Sequence, residues 1–147
     1  DYVYYKTTTL LDEWAPHVVS SDPQDGATDV SIFTDFTVTF SEPMDKVSVE
    51  AALSWTDGTN TWTIGDCVNR EGVWNSYGNI VSFTPDPYLD PPVIPRYSTD
   101  TCVVTIDVTA QDLAGNPIAS PFSFSFTTSP DIDPPKIEYS SSFLSIS

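Results

Sequence analysis

The chain has 147 residues, enough for one domain with a real core, and carries 5 Lys plus Arg against 21 Asp plus Glu. Its net charge of −16 argues against nucleic acid and anionic membrane surfaces, since both need cations to neutralise phosphate. At 39% hydrophobic and 13% aromatic it is no disordered acidic tail, and no apolar run approaches the roughly 20 residues of a membrane span.

In chain order, the sequence opens without an initiator Met or a signal peptide, which raises the expectation of a chain processed or cut from something longer. From there the periodicity is strand-like almost throughout. A first strand is expected at "PHVVSS", carrying His17. Phe36, Val38 and Phe40 then alternate with Thr37 and Thr39. "KVSVEAAL" is the one helix candidate, a turn or two long.

"LSWTDGTNTWTI" reads as a hairpin folded on Asp57-Gly58-Thr59-Asn60. That register pairs Thr56 with Thr61 and sets Trp55 opposite Trp62. The pair is either a sugar-stacking platform or a sheet-stabilising contact. Trp74 and Tyr77 in "VWNSYGN" leave the same two readings, nearer a loop. Further on, Val81 and Phe83 alternate with polar residues. Cys102, Val104, Ile106 and Val108 share one face, and Phe122, Phe124 and Phe126 close the series. Pro, Gly, Asn or Asp bounds each run. About seven short strands, each with one apolar face, predict an all-β antiparallel sandwich. The doubly apolar runs of a parallel sheet are missing.

Five motifs in this order, "PHVVSSDPQDGATDV", "VTFSEPMD", "VSFTP", "DLAGNP" and "FSFSFTT", carry a resemblance. Together they resemble the S-layer-type bacterial Ig-like domain, the SbsA Ig-like family, from about Pro16 to Thr128. The resemblance implies a seven-strand Ig-like β-sandwich without catalytic residues. It also implies use in tandem within surface-layer proteins, adhesins and extensions of secreted enzymes, hence an extracellular, cell-surface location. The departures are the aromatic-rich stretch Thr61–Asn79, the extended "DPYLDPPVIPRYSTD" and two cysteines.

Glu42 and Asp45 end a buried strand, where a glycosidase would keep its carboxylates. In the family pattern, however, Glu42-Pro43-Met44-Asp45 is the turn leaving the second strand. Pro43 cannot continue a central ladder, and Asp45 is placed to cap the helical turn. Nothing marks a second carboxylate of opposite role. A Ser-His-Asp arrangement would have to use His17, the single histidine. The glycines lack a phosphate-binding setting, and one His with two distant Cys lacks zinc spacing. The expectation is no enzyme.

Cys67 and Cys102, paired in number and in an exported setting, favour a disulfide. The alternative is two buried thiols packed as small hydrophobes.

The ends echo each other: Thr7-Thr8 with Thr127-Thr128 at an offset of 120, and Pro16 with Pro135 at 119. A repeat near that period is the mark of an array. Residues 1–13 therefore read as a tail or the last strand of a preceding module, 14–130 as the sandwich, and 131–147 as a linker with a following first strand or a donor strand. Both tails are expected to pair with neighbouring modules or identical subunits by strand addition. In a sandwich of this type Asp12, Glu13, Glu42, Asp45, Asp112 and Asn116 should converge at one pole, with Asp131 and Asp133 supplying the next copy. That oxygen-rich set would suit calcium, or its members are solvated turn residues and caps. Three functions follow: a structural module of a surface array or filament, which is the expectation; a carbohydrate-binding accessory module of a secreted enzyme using Trp55, Trp62, Trp74 and Tyr77; and a hydrolase.

Overall fold

The computed structural model describes residues 14–86 and 101–129 of the chain. Nine strands occur in this region: β1 (Val18–Asp22), β2 (Ala27–Val30), β3 (Phe36–Phe40), β4 (Leu53–Thr56), β5 (Thr61–Thr63), β6 (Val73–Trp74), β7 (Ile80–Phe83), β8 (Thr101–Ile106) and β9 (Phe122–Thr128). One helix, α1 (Lys46–Ala52), links β3 to β4, and a 3-10 turn (Ile64–Asp66) follows β5. No helix among the described residues is long and apolar enough to cross a membrane.

The strands form two sheets, β1-β3-β7-β6 and β2-β9-β8-β4-β5, and the fold is an all-β Ig-like sandwich. The strand count exceeds the expected seven for two reasons. A short outer strand, β6, forms beside β7 in the stretch read as lying near a loop. The first strand is also split: β1 pairs antiparallel with β3, whereas β2 crosses over and pairs parallel with β9. Between them lie the cis Asp22–Pro23 bond and Gly26, whose φ of 86° suits a residue without Cβ. Gly26 turns the chain so that its N–H reaches Ser125 O at 2.7 Å. His17, expected within the first strand, lies one residue ahead of it.

The alternating residues meet between the sheets. Phe36, Val38, Phe40, Val81, Phe83, Cys102, Val104, Ile106, Phe124 and Phe126 are all buried. Phe36 sits edge-on to Trp55 at 5.5 Å and to Phe124 at 6.4 Å, the arrangement that ring quadrupoles favour. Val108, expected on the β8 core face, lies past the strand end and is partly exposed. There Asp107 N–H bonds Ala52 O and Ala110 N–H bonds Asp107 O, which turns the chain out of the sheet.

Candidate functional site

Four segments meet where the chain enters the sandwich. Ser41 donates its N–H to His17 O at 2.8 Å and accepts from His17 N–H on its hydroxyl at 3.0 Å, fixing the entering chain to the end of β3. Met44 bridges to Asp112, and Asp45 N–H bonds Gln111 O at 2.9 Å, fixing the turn after β3 to the loop between β8 and β9. Met44 N–H bonds Gly78 O, which brings in the turn between β6 and β7. The turn after β3 and the "DLAGN" loop therefore meet, mainly through backbone contacts.

The carboxylates at this pole hold the fold's own turns. Asp112 is 1% exposed. Its Oδ1 accepts the N–H groups of Ala114 and Asn116, each at 2.9 Å, and its Oδ2 accepts Asn116 Nδ2 at 3.1 Å. This local pattern is the one that makes Asp a turn residue. Gly115, at φ 91°, completes the loop. Asp45 occupies the N-cap position of α1 but makes no capping bond with its side chain, contrary to expectation. Its Oδ2 instead faces Gln111 Nε2 at 3.4 Å, while Ser48 Oγ bonds Asp45 O and receives Gln111 N–H. Among the described residues no group of three or more His, Cys, Asp or Glu could hold a metal ion. Asp12, Glu13, Asp131 and Asp133 lie outside the described residues.

The same pole exposes large apolar side chains, one from each converging segment. Trp14 stands on the entering chain, Val47 on the first turn of α1, Tyr77 in the β6–β7 turn and Leu113 beside Asp112; each is at least 65% exposed. Sequence reading singled out Tyr77 alone. Trp14, Val47 and Leu113 give no periodic signal, since they sit in turns or a two-turn helix whose facing is set by the backbone contacts above.

The four candidate sugar-stacking aromatics separate. The register is as expected, Trp55 opposite Trp62 and Thr56 opposite Thr61. Both indoles nevertheless face the core, at 1% and 6% exposure, so a stacking platform built on them is ruled out. Trp74 is half-buried, donates Nε1–H to Glu50 Oε2 at 2.8 Å and lies under Lys46 Nζ at 6.0 Å.

The cysteines also depart from expectation, being two buried free thiols rather than a disulfide. Cys67 closes the 3-10 turn and bridges to Pro85, beyond β7; Cys102 lies on the inner face of β8 opposite Phe126, in the other sheet. An even cysteine count carries no information on whether two Cβ atoms face each other. Burial pushes each thiol up to about 12, helped by the Asp66 carboxylate at Cys67 and by Asp57 at Cys102. Such thiols are inert.

His17 is exposed, and its imidazole makes no hydrogen bond among the described residues. The pole thus holds turns together and exposes four large apolar side chains.

Residues 12–128 match the family described as bacterial Ig-like domain. The chain belongs to that family. Comparison with curated proteins returns no match. Among solved structures, the Ig-like domain is similar to the N-terminal part of the bacterial S-layer protein SbsC, at 19% identity and TM-score 0.51, over 78% of this chain and 24% of that one. It is also similar to CopC from Methylosinus trichosporium OB3b (11% identity, TM-score 0.52), over 80% of this chain and 97% of that one. A third likeness is to E. coli alpha-2-macroglobulin (10% identity, TM-score 0.52), over 84% of this chain and 6% of that one. At these identities the likeness is one of fold. The chain spans about a quarter of the SbsC structure it matches.

Proposed function

We propose that this Ig-like domain is a non-catalytic structural module of an extracellular cell-surface protein, a unit in a surface-layer or adhesin-type array or in a surface filament. One observation carries the reading: Trp14, Val47, Tyr77 and Leu113 are exposed on the four segments that meet at the chain-entry pole. Apolar side chains gathered on one surface mark an interaction site. At the entry pole the neighbour they suit is the module before. The internal use of Asp112, the inert thiols and the buried Trp pair support a building block over a catalyst or a sugar binder.

Two measurements test it together. Immunolabelling of intact cells should find the protein at the surface. A retention assay on cell-wall and plant polysaccharides should give no retardation, before or after Trp74→Ala and Tyr77→Ala. Absence from the surface sinks the reading, and retention lost in those two variants moves the function to glycan binding.

A further inference from the structure

The sheet containing β9 is closed along only part of its outer side. In the β8–β9 ladder Ser125 stands opposite Val103, and its N–H goes the other way, to Asp25 Oδ1 at 2.9 Å. Its C=O likewise turns outward to Gly26 N–H at 2.7 Å. Peptide groups alternate along an antiparallel ladder, so Ser123, two residues earlier, also points its N–H and C=O away from β8. There β2 offers nothing, because it pairs only from Phe126 to Thr128. Among the described residues the outer edge of β9 from Phe122 to Phe124 has no strand beside it.

Next to this open edge lies a groove of about 220 Å³. Its walls include Pro16, His17 and Val18 of the entering chain and Ile118, Pro121 and Phe122 of the segment leading into β9. None of its lining residues is acidic, although 21 of the chain's 147 residues are. An apolar, carboxylate-free slot beside unused backbone donors and acceptors is what strand addition requires.

We propose that this edge and groove accept residues Ile137–Ser140 from a second copy of the chain. The inference rests on the array reading and names the contact that would join its units. The space between Pro121 and Ser125 fits about four residues, roughly 13 Å of strand. "IEYS" puts Ile137 and Tyr139 on one face for the groove and Glu138 and Ser140 on the other, toward water. Direction selects a second copy over the same one. β9 ends at Thr128, and Ser129 N–H bonds Val30 O, so the chain leaves the sandwich about 23 Å from its own groove; to return, residues 130–136 would have to run almost fully extended while also doubling back past β2, which covers β9 from Phe126 to Thr128. A following copy stacked head to tail brings its groove to that exit. The donor then enters running parallel to β9, in line with β2, which already pairs with β9 in parallel.

Two variants, each intact on one side, test the contact. Ser123→Pro removes the outward N–H and the exposed hydroxyl bond to Thr105, but no backbone ladder bond to β8, so it blocks the acceptor while leaving the fold in place. Ile137→Asp with Tyr139→Asp blocks the donor outside the described sandwich. By sedimentation the unaltered chain should self-associate in a concentration-dependent way, and each variant alone should do so at least tenfold more weakly. Mixed, the two should form a one-to-one pair, since one donor and one acceptor remain. Assembly that survives both variants, a mixture that gives no pair, or an unaltered chain that stays monomeric would each overturn the assignment. A surface-displayed but monomeric chain sinks only this contact, leaving an array joined covalently. A chain that pairs but is absent from the surface sinks only the array reading.

Discussion

Trp55 and Trp62 stack across the β4–β5 hairpin, ring centres 6.4 Å apart and planes 28° from parallel, with both indoles turned into the core. The turn that sets this register is fixed by Asp57, whose Oδ1 accepts the N–H groups of Thr59 and Asn60. Burial raises the Asp57 pKa and those hydrogen bonds outweigh it, leaving the carboxyl below its usual range. Trp62→Ala on this outer strand should cost about 3 kcal/mol, as for other buried aromatic truncations. Urea titration followed by circular dichroism measures it. A loss under about 1 kcal/mol would mean that β5 is dispensable to the core.

The hairpin also marks how far sequence reaches. The pairing of Trp55 with Trp62 follows from loop length and period two, which are local. The face they present does not, because hydroxyl residues flank both indoles, Ser54 and Thr56 beside Trp55 and Thr61 and Thr63 beside Trp62, and either face could have been wet. The opposing sheet decides it, through Phe36 edge-on to Trp55. The split of the first strand was equally opaque, since β2 finds β9 about 100 residues away by a parallel pairing with few local cues. The meeting of Glu42–Asp45 with Asp112–Asn116 was legible through motif order. The bonds that Asp45 and Asp112 make there required the fold.

The two thiols predict a specific chemistry. In the native protein at pH 8 neither Cys67 nor Cys102 should react with a maleimide on a timescale of minutes, since burial holds each pKa at about 12. Urea without reductant should release two reactive thiols per chain; none would establish a bridge. The sign of the pH effect follows from a raised pKa. The thiols' contribution to stability is complete below the unfolded value of 9.0 and is lost as pH rises toward about 12. Cys102→Val should flatten that alkaline loss.

Asp112→Ala strands the N–H groups of Ala114 and Asn116 in a site 1% exposed. Unmet buried donors cost about 1–3 kcal/mol each, so a loss of about 2–4 kcal/mol is expected, part being recovered as water enters. Differential scanning calorimetry in calcium and in chelator separates this from any metal contribution. A carboxylate used by the loop itself predicts the same loss in both. A loss confined to calcium-containing buffer would refute the turn role.

Two glycines close together in sequence should respond in opposite directions. A Cβ on Gly72 would lie 2.6 Å from Val81 Cγ2, 2.9 Å from Phe83 Cε1 and 3.4 Å from Glu50 Oε2. Val81 and Phe83 are fully buried on β7, and Glu50 is held by Trp74 Nε1, so none of the three can yield cheaply. Gly72→Ala should therefore cost about 1–3 kcal/mol by overpacking. A Cβ on Gly65 meets nothing closer than Thr63 Oγ1 at 3.8 Å, and its φ is not positive. Gly65→Ala should stabilise by about 0.4–1 kcal/mol, because the unfolded chain loses freedom while the fold loses nothing. Urea midpoints of the two variants should fall on opposite sides of the unaltered protein. Equal midpoints would show that Gly72 is not pressed against β7, and that the Glu50–Trp74 contact over it is looser than 2.8 Å implies.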